Sequence, residues 1–143
     1  MAPENTKPRR IPAAIEDDER ISRFIFDRKH FNTMGVKFRA FEPPSADVEV
    51  SVTRTNGLSD ADIWRYGDQW VRQATHRTVL ARGDFTPRQL GEVAADGSRL
   101  SLHPDDNPPR HANIVGWPAP EHKEIRRSLA QQLAARATSV VRP

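Results

Sequence analysis

The sequence predicts an α+β fold in which a mixed, mostly antiparallel sheet carries two main helices packed on one face. Short segments in the first half alternate apolar and polar residues with the period of two that a half-buried strand requires. Two longer segments, one central and one C-terminal, repeat apolar residues at helical spacing. The strand segments follow one another through short links, which favours antiparallel neighbours.

The length of the chain, 143 residues, suits a single domain with its own hydrophobic core. Residues 1–19 contain Pro3, Pro8 and Pro12 and few large apolar side chains, so we expect a flexible N-terminal tail. Residues 20–143 then form the single α+β domain.

Three strands are predicted in the first half of the domain, over residues 21–27, 36–41 and 48–53. The alternation is cleanest in the second of them, which ends at Pro43 and Pro44.

The first main helix is expected to begin after Ser59, which suits an N-cap and has Asp62 at the capping-box position. Its buried stripe would consist of Ile63, Tyr66, Trp70, Val71 and Ala74. The second main helix is expected over residues 120–138. Its buried face would be built on Ile125, Leu129 and Leu133.

Shorter elements are expected between and after the helices. Asp96-Gly97 is a composition typical of a hairpin turn. The predictions are strands over 78–81, 90–94 and 99–102, a turn over 84–87 and a loop over 103–109. Residues 140–141 are expected to add a last strand or to pack against the core.

Composition excludes some chemistry. The chain has no cysteine, so disulfides, thiol nucleophiles and cysteine-ligated zinc are excluded. The absence of cysteine fits a reducing cytoplasm, and no apolar run is long enough to span a membrane. Motifs for nucleotide phosphates and for metallohydrolases are absent, so we expect neither a cofactor nor a metal.

A proline-bounded segment, residues 108–118, contains the candidate catalytic residues. His111 is interpreted as a general acid or base, Arg110 as the group that holds an anionic substrate, and Asn113 as the group that orients it. The alternative is that His111 braces a turn by hydrogen bonds to the backbone.

A basic surface is the second candidate site. The formal net charge is +3, and most of the cations are arginines, which suit phosphate recognition. Lys37, Arg39 and Arg54 are predicted to share a sheet face that contacts nucleic-acid phosphates. The alternative is a solvated strand face neutralised by Asp47 and Glu49.

Four segments together resemble a group of small uncharacterised bacterial proteins that share an Arg-His-Ala-Asn-Ile stretch. They lie at residues 23–26, 36–41, 51–54 and 110–114. The resemblance would cover most of residues 20–141. It implies a bacterial, cytoplasmic, single-domain protein and assigns no functional residue.

Two functions remain open at this point. The favoured one is a small basic binding module that docks on a larger protein partner, in a bacterial system that handles nucleic acid or serves in defence. Nucleic acid itself is a second partner class, and no membrane partner is expected. The alternative is a small enzyme acting on a phosphate-bearing substrate at His111 and Arg110. The oligomeric state is left open.

Overall fold

The computed structural model describes residues 14–44 and 48–143. The elements in these ranges are, in chain order, β1 (Ile21–Ile25), β2 (Phe31–Asn32), β3 (Gly35–Val36), β4 (Val50–Arg54), α1 (Asp60–Tyr66), α2 (Arg72–Thr75), β5 (Ala81–Phe85), α3 (Pro87–Gly91), β6 (Ala94–Ala95), β7 (Ser98–Arg99), β8 (Ser101–Pro104), β9 (His111–Val115), α4 (Lys123–Arg136) and β10 (Thr138–Val141). A π-helical turn, Gly67–Val71, joins α1 to α2 into one continuous helix.

The central sheet has six strands in the order β10-β5-β1-β4-β9-β8. Each neighbouring pair in it is antiparallel. The predicted α+β class with a mostly antiparallel sheet is therefore confirmed.

The two main helices cover opposite faces of this sheet. Ile25 of β1 belongs to the larger core, together with Leu129 and Leu133 of α4. Its neighbour Phe24 belongs to a smaller core with Ile63 of α1. Consecutive residues of a strand point to opposite faces, so the expectation that both helices pack on one face is wrong. We call the two sides the α4 face and the α1 face.

Both main helices form where local signals place them. The Ser59 side chain accepts a hydrogen bond from the Asp62 backbone N–H at 3.2 Å, as the predicted cap requires. The continuous α1–α2 helix ends at His76, whose φ of 58° is left-handed. Leu129 and Leu133 of α4 are fully buried, as predicted. None of the helices in the described ranges is long and apolar enough to cross a membrane.

The strand predicted over residues 36–41 is wrong. Only Val36 of this stretch belongs to a strand, β3, and a 3-10 turn, Phe38–Ala40, follows after Lys37. The alternating burial is nevertheless real, because Val36 and Ala40 are buried while Lys37 and Arg39 are exposed. The chain leaves the sheet here to fold over the α4 face. The ring of Phe41 packs edge-on against that of Phe85, with 5.8 Å between the ring centroids.

The middle of the chain departs most from expectation. The strand predicted over 78–81 runs instead from Ala81 to Phe85, through part of the predicted turn. The strand predicted over 90–94 is wrong, since α3 ends at Gly91 and only Ala94 of that stretch belongs to a strand, β6. Thr86 and Gln89 form a complete capping box around Pro87, a helix signal that local alternation concealed.

The last short elements are close to prediction. β6 and β7 form a hairpin around Asp96-Gly97, and both turn residues have positive φ. β8, Ser101–Pro104, covers the second half of the strand predicted over 99–102 and the first two residues of the predicted loop. The predicted final strand is confirmed as β10, an edge strand of the sheet.

The N-terminal boundary of the fold lies before residue 20. Glu19 is 6% exposed, and its carboxylate accepts a hydrogen bond from Nε of Arg54 at 2.7 Å. Ile15 packs against the larger core. The predicted tail therefore extends too far, because residues 15 and 19 belong to the packed domain. Residues 1–13 lie outside the described part of the chain.

Candidate functional site

A cleft of about 330 Å³ opens between the α1–α2 helix and the α1 face of the sheet. The α1–α2 helix supplies one wall and strands β1, β4 and β9 supply the other. The sequence-predicted His111 lines this cleft, at the start of β9.

The helical wall contains the π-helical turn. Tyr66, Trp70, Val71 and Ala74 line the cleft from this wall. Gly67 starts the turn and lies directly on the sheet, because a Cβ there would be 3.0 Å from Cε1 of Phe24. A π-helical turn shifts the side chains that follow it and is frequent at functional sites. Trp70 is only half-buried, so its ring presents surface to the cleft as well as to the smaller core.

The sheet wall has an opening between β1 and β4. The two strands form only two residue pairs, Ile21 with Arg54 and Ser22 with Thr53. Beyond them the Arg23 side chain bridges the opening, donating from Nη1 to the Ser51 carbonyl at 2.8 Å and from Nε to the Ala40 carbonyl at 2.9 Å. The cleft therefore has a guanidinium held in its floor by backbone carbonyls.

The charges that line the cleft are positive. Arg23 and Arg77 both line it, and no aspartate or glutamate is among its lining residues in the described chain. Burial, and then the positive charge of Arg77, lowers the pKa of Arg23 to about 10. Arg23 is still protonated at neutral pH. The like charges of Arg23 and Arg77 therefore repel each other, and an anion between them would relieve that repulsion.

His111 is oriented by a carboxylate. Its Nδ1 lies 3.0 Å from Oδ2 of Asp105, and its side chain is 17% exposed. A carboxylate accepts a hydrogen bond from Nδ1–H, which leaves the lone pair of a neutral ring on Nε2. No other hydrogen bond to the His111 ring is formed within residues 14–44 and 48–143. Asp105 is thus the partner that holds the ring.

Tyr66 closes the same end of the cleft. Its hydroxyl donates to the carbonyl of Pro109, just before His111. Burial raises the pKa of Tyr66 to about 12, despite the opposing hydrogen bond from Thr53. The hydroxyl therefore stays neutral at physiological pH and ties the α1–α2 helix to the loop that precedes β9.

Arg110 does not join His111 at the cleft. It is absent from the cleft lining, and its Nη1 donates to the carbonyls of Arg54 at 2.9 Å and Asn56 at 3.2 Å. Asn113 lies on the same face of β9 as His111, opposite Ser51, but it does not line the cleft either. Of the three candidate catalytic residues, the structure brings only His111 to the cavity.

The predicted nucleic-acid contacts separate in a similar way. Arg54 is 3% exposed and bound to Glu19, so its assignment to a nucleic-acid surface is wrong. Lys37 and Arg39 are exposed, but Lys37 caps the 3-10 turn and Arg39 lies on it, so neither is on a sheet face. Sequence alternation cannot distinguish a buried, paired arginine from an exposed one, because the partner of Arg54 lies 35 residues away.

Three residues that line the cleft were not predicted from the sequence to be functional. Tyr66 and Trp70 were assigned to a buried stripe, and Arg77 was not singled out. Arg77 lies over the ring of Phe26, with 5.3 Å from its Cζ to the ring centroid. That contact joins residues 51 positions apart, so no local pattern signals it.

No protein-family model, curated protein or solved structure matches this chain. The chemistry of the cleft itself is therefore the basis for assigning a function.

Proposed function

We propose that this protein binds a small organic anion with an apolar body in the cleft between the α1–α2 helix and the sheet. The observation that carries the proposal is the lining. Among the described residues it has aromatic and aliphatic walls, two arginines and a histidine, and no carboxylate. Ligand sites are commonly concave, mostly apolar and equipped with a few convergent polar groups. The cleft volume of about 330 Å³ lies at the small end of such sites.

The two parts of the ligand would meet different parts of the cleft. Its apolar body would pack against Trp70 and Val71 and displace water from their surfaces. Its anionic group would take a charge-assisted hydrogen bond from Arg77, which contributes ~1.5–3 kcal/mol. Nε2 of His111 would add a second such bond when the ring carries both protons. Arg23 would contribute its charge from the cleft floor, where carbonyls hold it in place.

A specific observation also favours a reaction at this site. With Asp105 holding Nδ1–H, a neutral His111 has its lone pair on Nε2, where it can accept a proton from a bound ligand or from water. This second candidate keeps His111 as a general base. The anion-holding residue becomes Arg77 in place of Arg110.

The proposed setting is the bacterial cytoplasm. Its support is the absence of cysteine, which fits a reducing compartment.

A pair of fluorescent probes tests the binding proposal. 1-Anilinonaphthalene-8-sulfonate is an aromatic anion, and N-phenyl-1-naphthylamine has the same body without the sulfonate. We expect the anion to bind the folded protein more tightly than the neutral probe. Arg77→Gln should lower the affinity for the anionic probe by about tenfold, which corresponds to ~1.4 kcal/mol. It should leave the affinity for the neutral probe unchanged.

Arg72→Gln is the matched control, because Arg72 is exposed on α2 and does not line the cleft. Thermal unfolding of each variant verifies that the probes report on a folded protein. Equal affinity for both probes, or equal loss in the two arginine variants, would contradict a specific anion site.

Chemical modification tests the placement of His111. Diethyl pyrocarbonate acylates a neutral imidazole nitrogen, and mass spectrometry of peptides distinguishes His111 from the other four histidines. We expect His111 to react, and bound 1-anilinonaphthalene-8-sulfonate to slow that reaction without slowing the reaction of exposed His76. Unchanged reactivity of His111 in the presence of the probe would exclude it from the ligand site.

A further inference from the structure

A second positive surface lies on the α4 face, away from the cleft. It combines Lys37, Phe38 and Arg39, at the 3-10 turn, with Lys123 and Arg127 on the first two turns of α4. Lys123 and Arg127 are four residues apart and therefore share one side of the helix. We call these five residues the basic–aromatic surface.

Phe38 connects the two halves of this surface. Its ring is half-buried against the larger core, so it is fixed in position. The guanidinium carbon of Arg39 lies 5.5 Å from the ring centroid and that of Arg127 lies 5.7 Å from it. Such cation–π contacts orient flexible arginine side chains and leave their positive charge in place, because the aromatic ring does not neutralise it.

The four cations of the surface lack the carboxylates that other arginines of the fold have. Arg54, Arg136 and Arg142 are each paired with a glutamate or aspartate. Within the described ranges, none of Lys37, Arg39, Lys123 and Arg127 forms an ion pair, and all four are exposed. Glu42 lines a pocket with Lys123 and Arg127 but forms no ion pair with either in the described ranges. The positive charge of the four cations exceeds the negative charge of this carboxylate and is available to an external polyanion.

We infer that the basic–aromatic surface binds single-stranded nucleic acid through its phosphates. Arginine forks bind phosphate oxygens, and guanidinium planes held over an aromatic ring also offer flat surfaces to unpaired bases. The surface consists of a short turn and the side of a helix.

Fluorescence anisotropy with labelled single-stranded DNA and RNA oligonucleotides of 16 residues, in low salt, tests this inference. We expect the double variant Arg39→Gln/Arg127→Gln to lose about tenfold or more in affinity. The slope of log affinity against log salt should become shallower by about 1.4, because two phosphate contacts are lost at roughly 0.7 each.

Arg72→Gln/Arg88→Gln is the matched control, since it removes the same charge from exposed arginines outside the surface. The control should keep most of the affinity and the original salt slope. A separate charge reversal, Lys123→Glu, should also weaken binding, and it serves if the double variant fails to fold.

Three outcomes would overturn the inference. They are no binding of the wild-type protein at low salt, equal losses in the surface and control variants, and full competition by poly-glutamate at equal charge, which would assign the surface to acidic proteins. The cleft test with the fluorescent probes is independent of all three, because Arg77 and His111 lie on the opposite face of the sheet.

Discussion

Burial and pairing divide the arginines of this protein into two groups. Arg54 and Arg82 are 3% and 2% exposed, and each meets a carboxylate. Arg82 also lies 4.7 Å from the ring centroid of Trp64. These side chains serve the fold, because a buried guanidinium must be compensated. Exposed arginines such as Arg77 and Arg39 are available for ligands.

Removing the carboxylate from one buried pair tests this division. Glu19→Gln should lower the free energy of unfolding by roughly 3 kcal/mol, because the buried guanidinium of Arg54 loses the carboxylate that accepts from its Nε and Nη2. Urea denaturation measures the loss. The control is Glu92→Gln, whose side chain is 56% exposed in its pair with Arg136 and which should cost less than ~1 kcal/mol. Equal losses would contradict a structural role specific to the buried pair.

The titration of Tyr66 gives a second prediction at this scale, because Tyr66 is the only tyrosine of the chain. Burial raises its pKa to about 12 from an ordinary value near 10. Tyrosinate absorbance should therefore rise about two pH units later in the folded protein than in urea. A folded-state midpoint near 10 would show that the hydroxyl is open to water.

The same shift makes stability depend on pH. The folded state holds the Tyr66 proton more tightly than the unfolded state, so its contribution is full below about pH 10. That contribution is lost as the pH rises through about 12. Arg23, with its lowered pKa, acts in the opposite direction over part of this range. The difference between wild type and Tyr66→Phe isolates the tyrosine, and the variant should lose less stability on going from pH 10 to 12.

At the scale of elements, α4 anchors the larger core. Leu129 is fully buried among side chains of the sheet, on the stripe that helical spacing predicts. Leu129→Ala should cost ~2–5 kcal/mol, since the cavity it leaves cannot collapse fully. Guanidinium denaturation of the variant checks this. Gln131→Ala, at an exposed position of the same helix, should change stability by less than ~0.5 kcal/mol. A near-silent Leu129→Ala would overturn the assignment of the buried face.

The short elements show a different balance of local and distant causes. α3 has its own capping box at Thr86 and Gln89, so a local signal for it was present in the sequence. The 3-10 turn at Phe38–Ala40 has no such signal, and its alternation mimics a strand. Contacts with α4 and the core determine its path. Short segments with few local hydrogen bonds are where tertiary packing overrides sequence patterns.

For the whole molecule, the first described residues are part of the fold. Deleting residues 1–19 removes Glu19, the contact of Ile15 with the core and the Ala14 carbonyl that accepts from Arg54. We expect the thermal midpoint to fall by roughly 10 °C, given a loss of about 3 kcal/mol. Deleting residues 1–13 leaves these three contacts in place, so the further fall in midpoint from this truncation to the longer one measures their contribution. Equal midpoints for the two truncations would show that residues 14–19 do not stabilise the domain.

Local patterns sufficed for the fold class and for most of the long elements. The apolar stripe around Leu129, the cap at Ser59 and the turn at Asp96-Gly97 each depend on residues within a few positions of one another. Such interactions act before distant parts of the chain meet, which is why the sequence alone determined the antiparallel α+β class, both main helices and His111 as a candidate site residue.

Tertiary structure alone decided which residues share a site. The cleft joins Phe26 to Arg77 and Thr53 to His111, and the pair of Arg54 with Glu19 also spans the chain. It likewise placed the two main helices on opposite faces and turned Arg110 away from His111. The physical reason is the same in each instance: these contacts depend on the register of strands and on packing between distant segments, for which a single sequence contains no local periodicity.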